Sequence, residues 1–398
     1  MSIILNCAAC NKALPYNAKR CAACKVRYCS KECQAEDWQN GHKKMCKKIA
    51  RHGGVEKFEA EVHGARFSTA AVELCGGDLP ADAICSICEQ RGDEPILRAC
   101  ECSGASGLAH LSCLVRRAQI ARSDKDKTDT DEAYFAADDK WSKCPTCEKS
   151  YHKAVRGALG YACWKTYSSC APTGYCFGDR EFAWKQLGDG LEHAGFYDEA
   201  ARVHVARLME TEYLFPLEKR EIADMWDDIA RVNMYRGEEE LELSARRESY
   251  SRVLALDPEV DIVNDKTVVF RGSSLAISLL YGDQSGEAQV AEARALFRKL
   301  APMSRRAFGP DHDQTLNLRK MYAESLYLTD AASRDDVAKA TTILEDVART
   351  ARRRASYEYA PLIQAALEEA REKLASLQTK RRRSTRTQAA LEAAVLAM

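Results

Sequence analysis

Sixteen residues of this chain have the types and spacing to hold metal. Cys7-x2-Cys10, Cys21-x2-Cys24, Cys29-x3-Cys33 and His42-x3-Cys46 form four close pairs. A second set follows as Cys85-x2-Cys88, Cys100-x-Cys102, His110-x2-Cys113 and Cys144-x2-Cys147. A tetrahedral zinc ion takes four Cys or His ligands, and a close pair supplies two of them from one tight turn. Each set of eight is enough for two ions, so four zinc ions per chain are expected. Spacing alone leaves open which pairs share an ion.

The elements that position these ligands differ from the rest of the chain. All eighteen cysteines lie before residue 177, leaving 222 residues with none. Without a secretory signal a reducing compartment is expected, where clustered cysteines read as metal ligands rather than disulfides. Residues 1–50 are too few to bury a stable core unaided. Structural zinc contributes on the order of 10 kcal/mol or more of folding energy per site. No run of about 18 apolar residues suggests a membrane span. An intracellular protein, cytoplasmic or nuclear, is expected.

The first set resembles the MYND zinc finger over about residues 7–46. The Cys/His spacing fits, as do Tyr28-Cys29-Ser30, Cys33-Gln34 and Asp37-Trp38. The resemblance implies interleaving: Cys7, Cys10, Cys29 and Cys33 on one ion, and Cys21, Cys24, His42 and Cys46 on the other. It also implies binding of short, often proline-containing peptides of partner or substrate proteins. Residues 1–52 carry eleven Lys/Arg against three Asp/Glu. Seven thiolates and two zinc ions reduce that formal +8 to about +5. With no aromatic interleaving to stack bases, nucleic acid is not an expected partner.

The stretch CSICEQRGDEPILRACECSGASGLAHLSCL, 85–114, resembles a RING-CH (RING-variant) domain rather than a PHD finger. Its second pair is Cys-x-Cys, and seven residues separate Cys102 from His110. The resemblance implies one ion on Cys85, Cys88, His110 and Cys113, and another on Cys100, Cys102, Cys144 and Cys147. It implies a ubiquitin ligase that recruits a ubiquitin-conjugating enzyme through Ile87 and Pro145 and works by positioning. Ile87 reads equally well as a local core residue. The family's pattern is broken at Arg117, where many members carry Trp, and at Glu148, where active RINGs often place a cation. The gap from Cys113 to Cys144 is 30 residues, and the acidic insert 123–140 reads as a solvated loop. A non-catalytic zinc-finger scaffold therefore stays open beside the ligase.

The domain reading is a MYND-type finger at 1–50, a linker at 51–80 and a RING-CH-type finger at 81–152. A connecting helix at 153–180 carries Val155, Leu159, Ala162 and Cys163 near one face. Cys75, Cys163, Cys170 and Cys176 fit no further knuckle and read as buried or free thiols. Residues 181–378 read as paired amphipathic helices, with turn glycines Gly195, Gly237 and Gly282 spaced 42 and 45 apart and an irregular stretch at 258–272. A period in this range argues an all-α helical-repeat solenoid. GFYDEAARV and VLALDP resemble the turn and exit of a tetratricopeptide repeat, and FGPDHDQTLNLRKMYAESLY resembles the kinesin-light-chain variety. The resemblance implies peptide-binding surfaces on which Arg and Asn often clamp acidic partners. A basic tail, 379–398, holds KRRRSTR. The Asn-His pair and C-terminal cysteines of a MYND-bearing SET methyltransferase are missing, and no P-loop or dinucleotide glycine motif stands out.

Overall fold

A computed structural model of the chain describes residues 5–77, 79–80, 82–125, 136–168, 177–256, 265–283, 285–353 and 359–396. It divides into two compact units, 1–218 with 231–237, and 219–230 with 238–398. The fold class is that of small zinc-finger modules followed by all-α helical repeats.

The first unit begins with a short antiparallel hairpin, β1 (Lys19–Arg20) and β2 (Arg27–Tyr28). Helix α1 (Lys31–Asp37) starts at Ser30, whose hydroxyl accepts the Cys33 N–H at 3.2 Å. A π-turn at Trp38–His42 carries Gly41 at φ 128° and leads into α2 (Lys43–Arg51). Cys7, Cys21, Cys24 and Cys46 close a small core with Leu14, Val26, Tyr28, Ile49 and Val55. The metal ligands are thus a large part of the core itself.

The stretch expected as a linker contains α3 (Val55–Cys75), 21 residues long. It packs on α5 (Lys153–Tyr167), the expected connecting helix. That helix is not one-faced: Val155, Arg156, Ala158, Leu159, Tyr161, Cys163 and Trp164 are all buried. It lies between α3 and α6 (Phe177–His193), so most of its circumference meets protein. Two glycines permit the approach. A Cβ on Gly157 would stand 2.4 Å from the Phe67 ring, and one on Gly160 2.9 Å from the Gln186 carbonyl. Helix α7 (Tyr197–Leu214) completes the first pair.

The second finger is built on strands β3 (Ile96–Arg98) and β4 (Leu108–His110), followed by α4 (Leu111–Lys125). Leu97, Leu114 and Trp141 of this finger share one apolar cluster with α3, α5, α6 and α7. A division at residue 152 therefore cuts through a continuous core. Of the acidic insert, residues 126–135 lie outside the described residues. Its last part is not a solvated loop, because Ala137 is buried and Asp138 pairs with the buried Arg122.

Arg180 ties this unit together. It is 5 % exposed, and its guanidinium donates to both Glu210 oxygens at 2.6 and 2.9 Å and to both Glu56 oxygens at 2.9 and 3.1 Å. It also reaches the Ser168 carbonyl, so one cation joins α3, α5, α6 and α7.

The second unit consists of the first part of α8 (Lys219–Arg236), then α9 (Glu239–Leu254), α10 (Lys266–Tyr281), α11 (Glu287–Phe308), α12 (Asp313–Tyr327), α13 (Arg334–Arg352) and α14 (Ala360–Leu396). From α9 onward each helix packs chiefly on the next in sequence, as a repeat array requires. Val268, Leu275, Leu279, Phe297 and Leu300 anchor one cluster, and Leu316, Leu326, Leu344, Val347 and Ile363 the next. The 258–272 stretch is not irregular throughout: helix α10 starts at Lys266, capped by Asp265, which accepts the Thr267 and Val268 N–H groups at 2.6 and 3.3 Å. Residues 257–264 lie outside the described residues. Helix α14 continues in backbone through KRRRSTR to Leu396, where a tail was expected.

Gly195 and Gly237 end their helices at φ 86° and 72°, a region that favours glycine. Gly282 does not share that role, since its φ is −62°. A Cβ there would instead stand 2.0 Å from Glu239 Oε1, so close packing explains this third turn glycine.

Candidate metal centres

The sixteen residues gather into four quartets: Cys7, Cys10, Cys29 and Cys33; Cys21, Cys24, His42 and Cys46; Cys85, Cys88, His110 and Cys113; Cys100, Cys102, Cys144 and Cys147. Within each, the ligand atoms lie within 4.8 Å of one another. In a tetrahedral zinc site, sulfurs stand about 3.8 Å apart and sulfur stands about 3.5 Å from an imidazole nitrogen. The chain's own spacings match that scale. Cys10–Cys29 is 3.6 Å, Cys21–Cys46 3.7 Å and Cys102–Cys144 3.7 Å. Cys24 stands 3.3 Å from His42 Nε2, and Cys88 stands 3.4 Å from His110 Nδ1. These sulfurs are too far apart for disulfides, whose S–S bond is about 2.05 Å, and every described cysteine is free. The donor set and its geometry fit zinc in both finger regions.

The four Cys-x2-Cys turns share one backbone design. The residue after the second cysteine is left-handed each time: Asn11 at φ 58°, Lys25 at 67°, Glu89 at 58° and Glu148 at 57°. Among the described residues no other non-glycine has positive φ. Its N–H donates to the first cysteine's carbonyl at 2.9, 3.0, 2.9 and 2.8 Å respectively. The first cysteine's N–H then donates to Lys12, Val26, Gln90 and Lys149 carbonyls at 2.8, 2.8, 3.0 and 2.9 Å. The left-handed residue folds the chain back on itself so that both thiols point to one side. Non-glycine residues tolerate this at a cost of about 1–2 kcal/mol.

Backbone N–H groups aim at the sulfurs. Ile87 and His110 reach Cys85 Sγ at 3.4 and 3.5 Å, and Thr146 reaches Cys144 Sγ at 3.4 Å. Burial pushes these thiols up, but the N–H donors outweigh it and bring Cys85 to about 7 and Cys144 to about 6. Cys7 and Cys21 reach about 6 by the same balance. The thiolate is the form that binds metal.

Both histidines are oriented through their second nitrogen. His42 offers Nε2 to its quartet while Nδ1 faces Asp37 Oδ2 at 3.4 Å. Tyr28, fully buried, donates its hydroxyl to the same oxygen at 2.6 Å. His110 offers Nδ1, and its Nε2 donates to the Arg91 carbonyl at 2.7 Å. Such outer partners fix the tautomer and ring direction of a metal-bound imidazole. Gly41 lets the chain turn sharply just before His42. The sequence carries a signal for Asp37 and Tyr28 in the residues matching the MYND pattern, but not for the Arg91 carbonyl.

In the second finger the β3–β4 hairpin pairs Ile96 with His110. This register sets Cys100 and Cys102 beyond one strand end and His110 at the end of the other, with Cys113 one helical turn later. Cys144 and Cys147 return beside Cys100 and Cys102 from across the acidic insert. Ile87 lies half-buried against the core and also lines a groove of about 180 Å³ between the two quartets. Leu114, Arg117, Thr146 and Tyr151 share that groove. Pro145 is exposed at the neighbouring turn. Arg117 does not mimic an aromatic platform: its Nη2 donates to the Tyr151 hydroxyl at 2.6 Å. Lys149 is paired with Glu101.

Cys163 is fully buried, and burial pushes its thiol well up; Cys75 is half-buried and raised for the same reason. Cys170 and Cys176 lie outside the described residues. Asp189, Glu192 and His204 also bring ligand atoms within 4.8 Å. Lys185 and Arg231 already stand on those carboxylates, at 3.0 and 2.7 Å, where a dication would have to sit. That grouping is an ion-pair cluster.

The MYND finger family matches residues 7–46, and the RING-variant domain matches residues 85–129, ending before the last ligand pair. Ubiquitin carboxyl-terminal hydrolase 19 of Arabidopsis thaliana is 52% identical over 68 residues, covering 15% of this chain and 10% of that protein. The chain thus spans about a tenth of that relative's length. Among solved structures, the kinesin light chain TPR-like repeats of Podosopora anserina give a TM-score of 0.39 at 14% identity, covering 61% of this chain and 95% of that one. BtubC (BKLC) from P. vanneervenii gives 0.42 at 11%, covering 71% and 91%. At these scores the helical-repeat reading rests on the chain's own helix pairs. The chain thus carries a stretch that matches the MYND finger family and one that matches the RING-variant domain, each with Cys/His quartets that fit zinc, together with all-α helical repeats.

Proposed function

We propose that this chain holds four structural zinc ions, one per quartet, and acts as a RING-variant ubiquitin ligase. Each quartet has four protein ligands and no open position, so the metal would supply folding energy rather than a reactive water. The ligase reading is carried by the surface between the two quartets of the second finger. Ile87 and Pro145 lie there on adjacent metal turns, beside the groove that Leu114 and Arg117 also line. A conjugating enzyme docked on that shelf would be positioned for transfer without covalent chemistry by this chain. The MYND finger and the helix pairs would hold the substrate protein. The relative from Arabidopsis supports a ubiquitin context alone, since its name is that of a hydrolase.

The arrangement of Arg117 and Glu148 favours a second reading, a zinc-bearing scaffold without ligase activity. Arg117 is tied to Tyr151, Glu148 stands directly after the last ligand, and Lys149, one residue on, is paired with Glu101. Purified protein incubated with ubiquitin, activating enzyme and a broad panel of conjugating enzymes separates the two. The ligase reading expects ubiquitin chains that disappear with Ile87→Ala and weaken with Pro145→Ala while zinc content stays at four per chain. No product with any conjugating enzyme would leave the scaffold.

A further inference from the structure

Helix α4 places Arg117 on the wall of the groove of about 180 Å³ between the two quartets of the second finger. Ile87, Leu114, Thr146 and Tyr151 line the same groove, and Pro145 is exposed at the adjoining turn. Arg117 is the only cation on that wall, and no carboxylate lines it. Its Nη2 donates at 2.6 Å to the hydroxyl of Tyr151, a side chain only 1% exposed. Tyr151 belongs to the shared apolar core, so this bond anchors the guanidinium. The Nε of Arg117 is buried without an acceptor, and among the described residues Arg117 forms no ion pair.

A guanidinium keeps its charge at any working pH and presents five donors in one plane. Here a neutral hydroxyl takes one of them. A partner that covered the groove with apolar surface would strip water from the others and leave them unpaired, which is costly. A partner with a cation at that place would be repelled. A carboxylate answers both costs, because its two oxygens match the guanidinium edge.

We propose that Arg117 decides which partner this surface accepts. It admits a conjugating enzyme that carries Asp or Glu on the loop facing the groove, and turns away those with an apolar or basic residue there. The inference rests on the ligase reading, in which Ile87 and Pro145 form the shelf, and adds the charge that the docked enzyme must bring. Selection of this kind works as much by penalising wrong partners as by attracting the right one. Arg117 is a specificity-determining residue and takes no part in the transfer itself.

The test measures binding of the zinc-loaded full chain to each member of a panel of conjugating enzymes by isothermal titration calorimetry, with cross-linking to map the facing loop. Every enzyme that binds is expected to present Asp or Glu on that loop. Arg117→Glu should weaken the best binder at least about tenfold and Arg117→Gln about fivefold, while Arg117→Lys stays within about twofold. Replacing the facing carboxylate by Lys should weaken binding to the wild type and restore binding to Arg117→Glu. Zinc content and circular dichroism check separately that each variant is folded. Binding that is lost with Ile87→Ala but unchanged in Arg117→Glu, or a Lys-bearing enzyme that fails to rescue that variant, overturns this inference and leaves the ligase reading standing. No binding by any enzyme overturns both.

Discussion

Residues 5–52 and residues 265–352 reach order by opposite routes. In the first, four of the eight buried apolar positions are cysteines of the quartets, and the hairpin between them is two residues per strand. In the second, Phe297, Leu300, Leu279 and their neighbours interlock between helices of 15 to 22 residues. The finger has too little apolar surface to fold on burial alone. It compensates with ligand geometry, repeated down to the left-handed residue after each Cys-x2-Cys. The helix pairs need no ligand, but each needs its neighbour. The second finger stands between the two cases, since its quartets rest on a core shared with α3, α5, α6 and α7.

Zinc removal should break the comparison open most strongly. Each structural ion is worth on the order of 10 kcal/mol or more. Stripping with a high-affinity chelator should make residues 5–52 and 85–150 protease-sensitive, while the helices at 265–352 stay protected. Hydrogen exchange read by mass spectrometry gives both regions at once. Uniform loss of protection would mean that the helix pairs depend on metal too. Within the first finger, His42→Ala should disturb the Cys21/Cys24 site first, and Cys29→Ala the Cys7/Cys10 site.

A matched pair of truncations tests the two cores next. Arg180→Ala leaves Glu210 and Glu56 without their cation and should cost about 3–5 kcal/mol. Phe297→Ala opens a cavity and should cost about 3–5 kcal/mol as well. The costs are alike, but their reach should differ. Arg180→Ala should speed zinc loss to a chromogenic chelator, because its partners span the helices that support the second finger. Phe297→Ala should lower the urea midpoint and leave the zinc off-rate unchanged.

The smallest effect is the most specific. At Glu148 the backbone is left-handed, so Glu148→Gly should strengthen its zinc turn by up to about 1 kcal/mol. Arg298→Gly, at an exposed position inside α11, should weaken the second unit by about 1 kcal/mol. Opposite signs for the two glycines, read by chelator competition and urea melts, would establish that the turns and the helices select for different backbones. Equal signs would undo that distinction.

How far the sequence reached follows the same division. The Cys/His spacing is local, and a ligand pair is visible without knowing the fold. Amphipathic pairing and turn spacing are also local, so the helix pairs from 184 to 348 were legible. The linker reading failed because α3 has little amphipathic pattern; Gly64 and Phe67 acquire meaning only against Tyr161 and Gly157. The one-faced reading of α5 failed for a related reason, since its second face is covered by elements distant in the chain. The third turn glycine has the expected spacing and a different cause.

The sequence by itself determined which residue types could bind zinc, where the metal-rich part ends, and that paired helices follow. Those features depend on neighbours within a few positions. Only the tertiary structure decided what is shared at a distance. It made one core of finger and first helix pair, and set Arg180 among Glu56, Ser168 and Glu210. Burial and charge pairing are properties of the assembled fold, because a side chain's solvent and partners are fixed only once distant segments have packed around it.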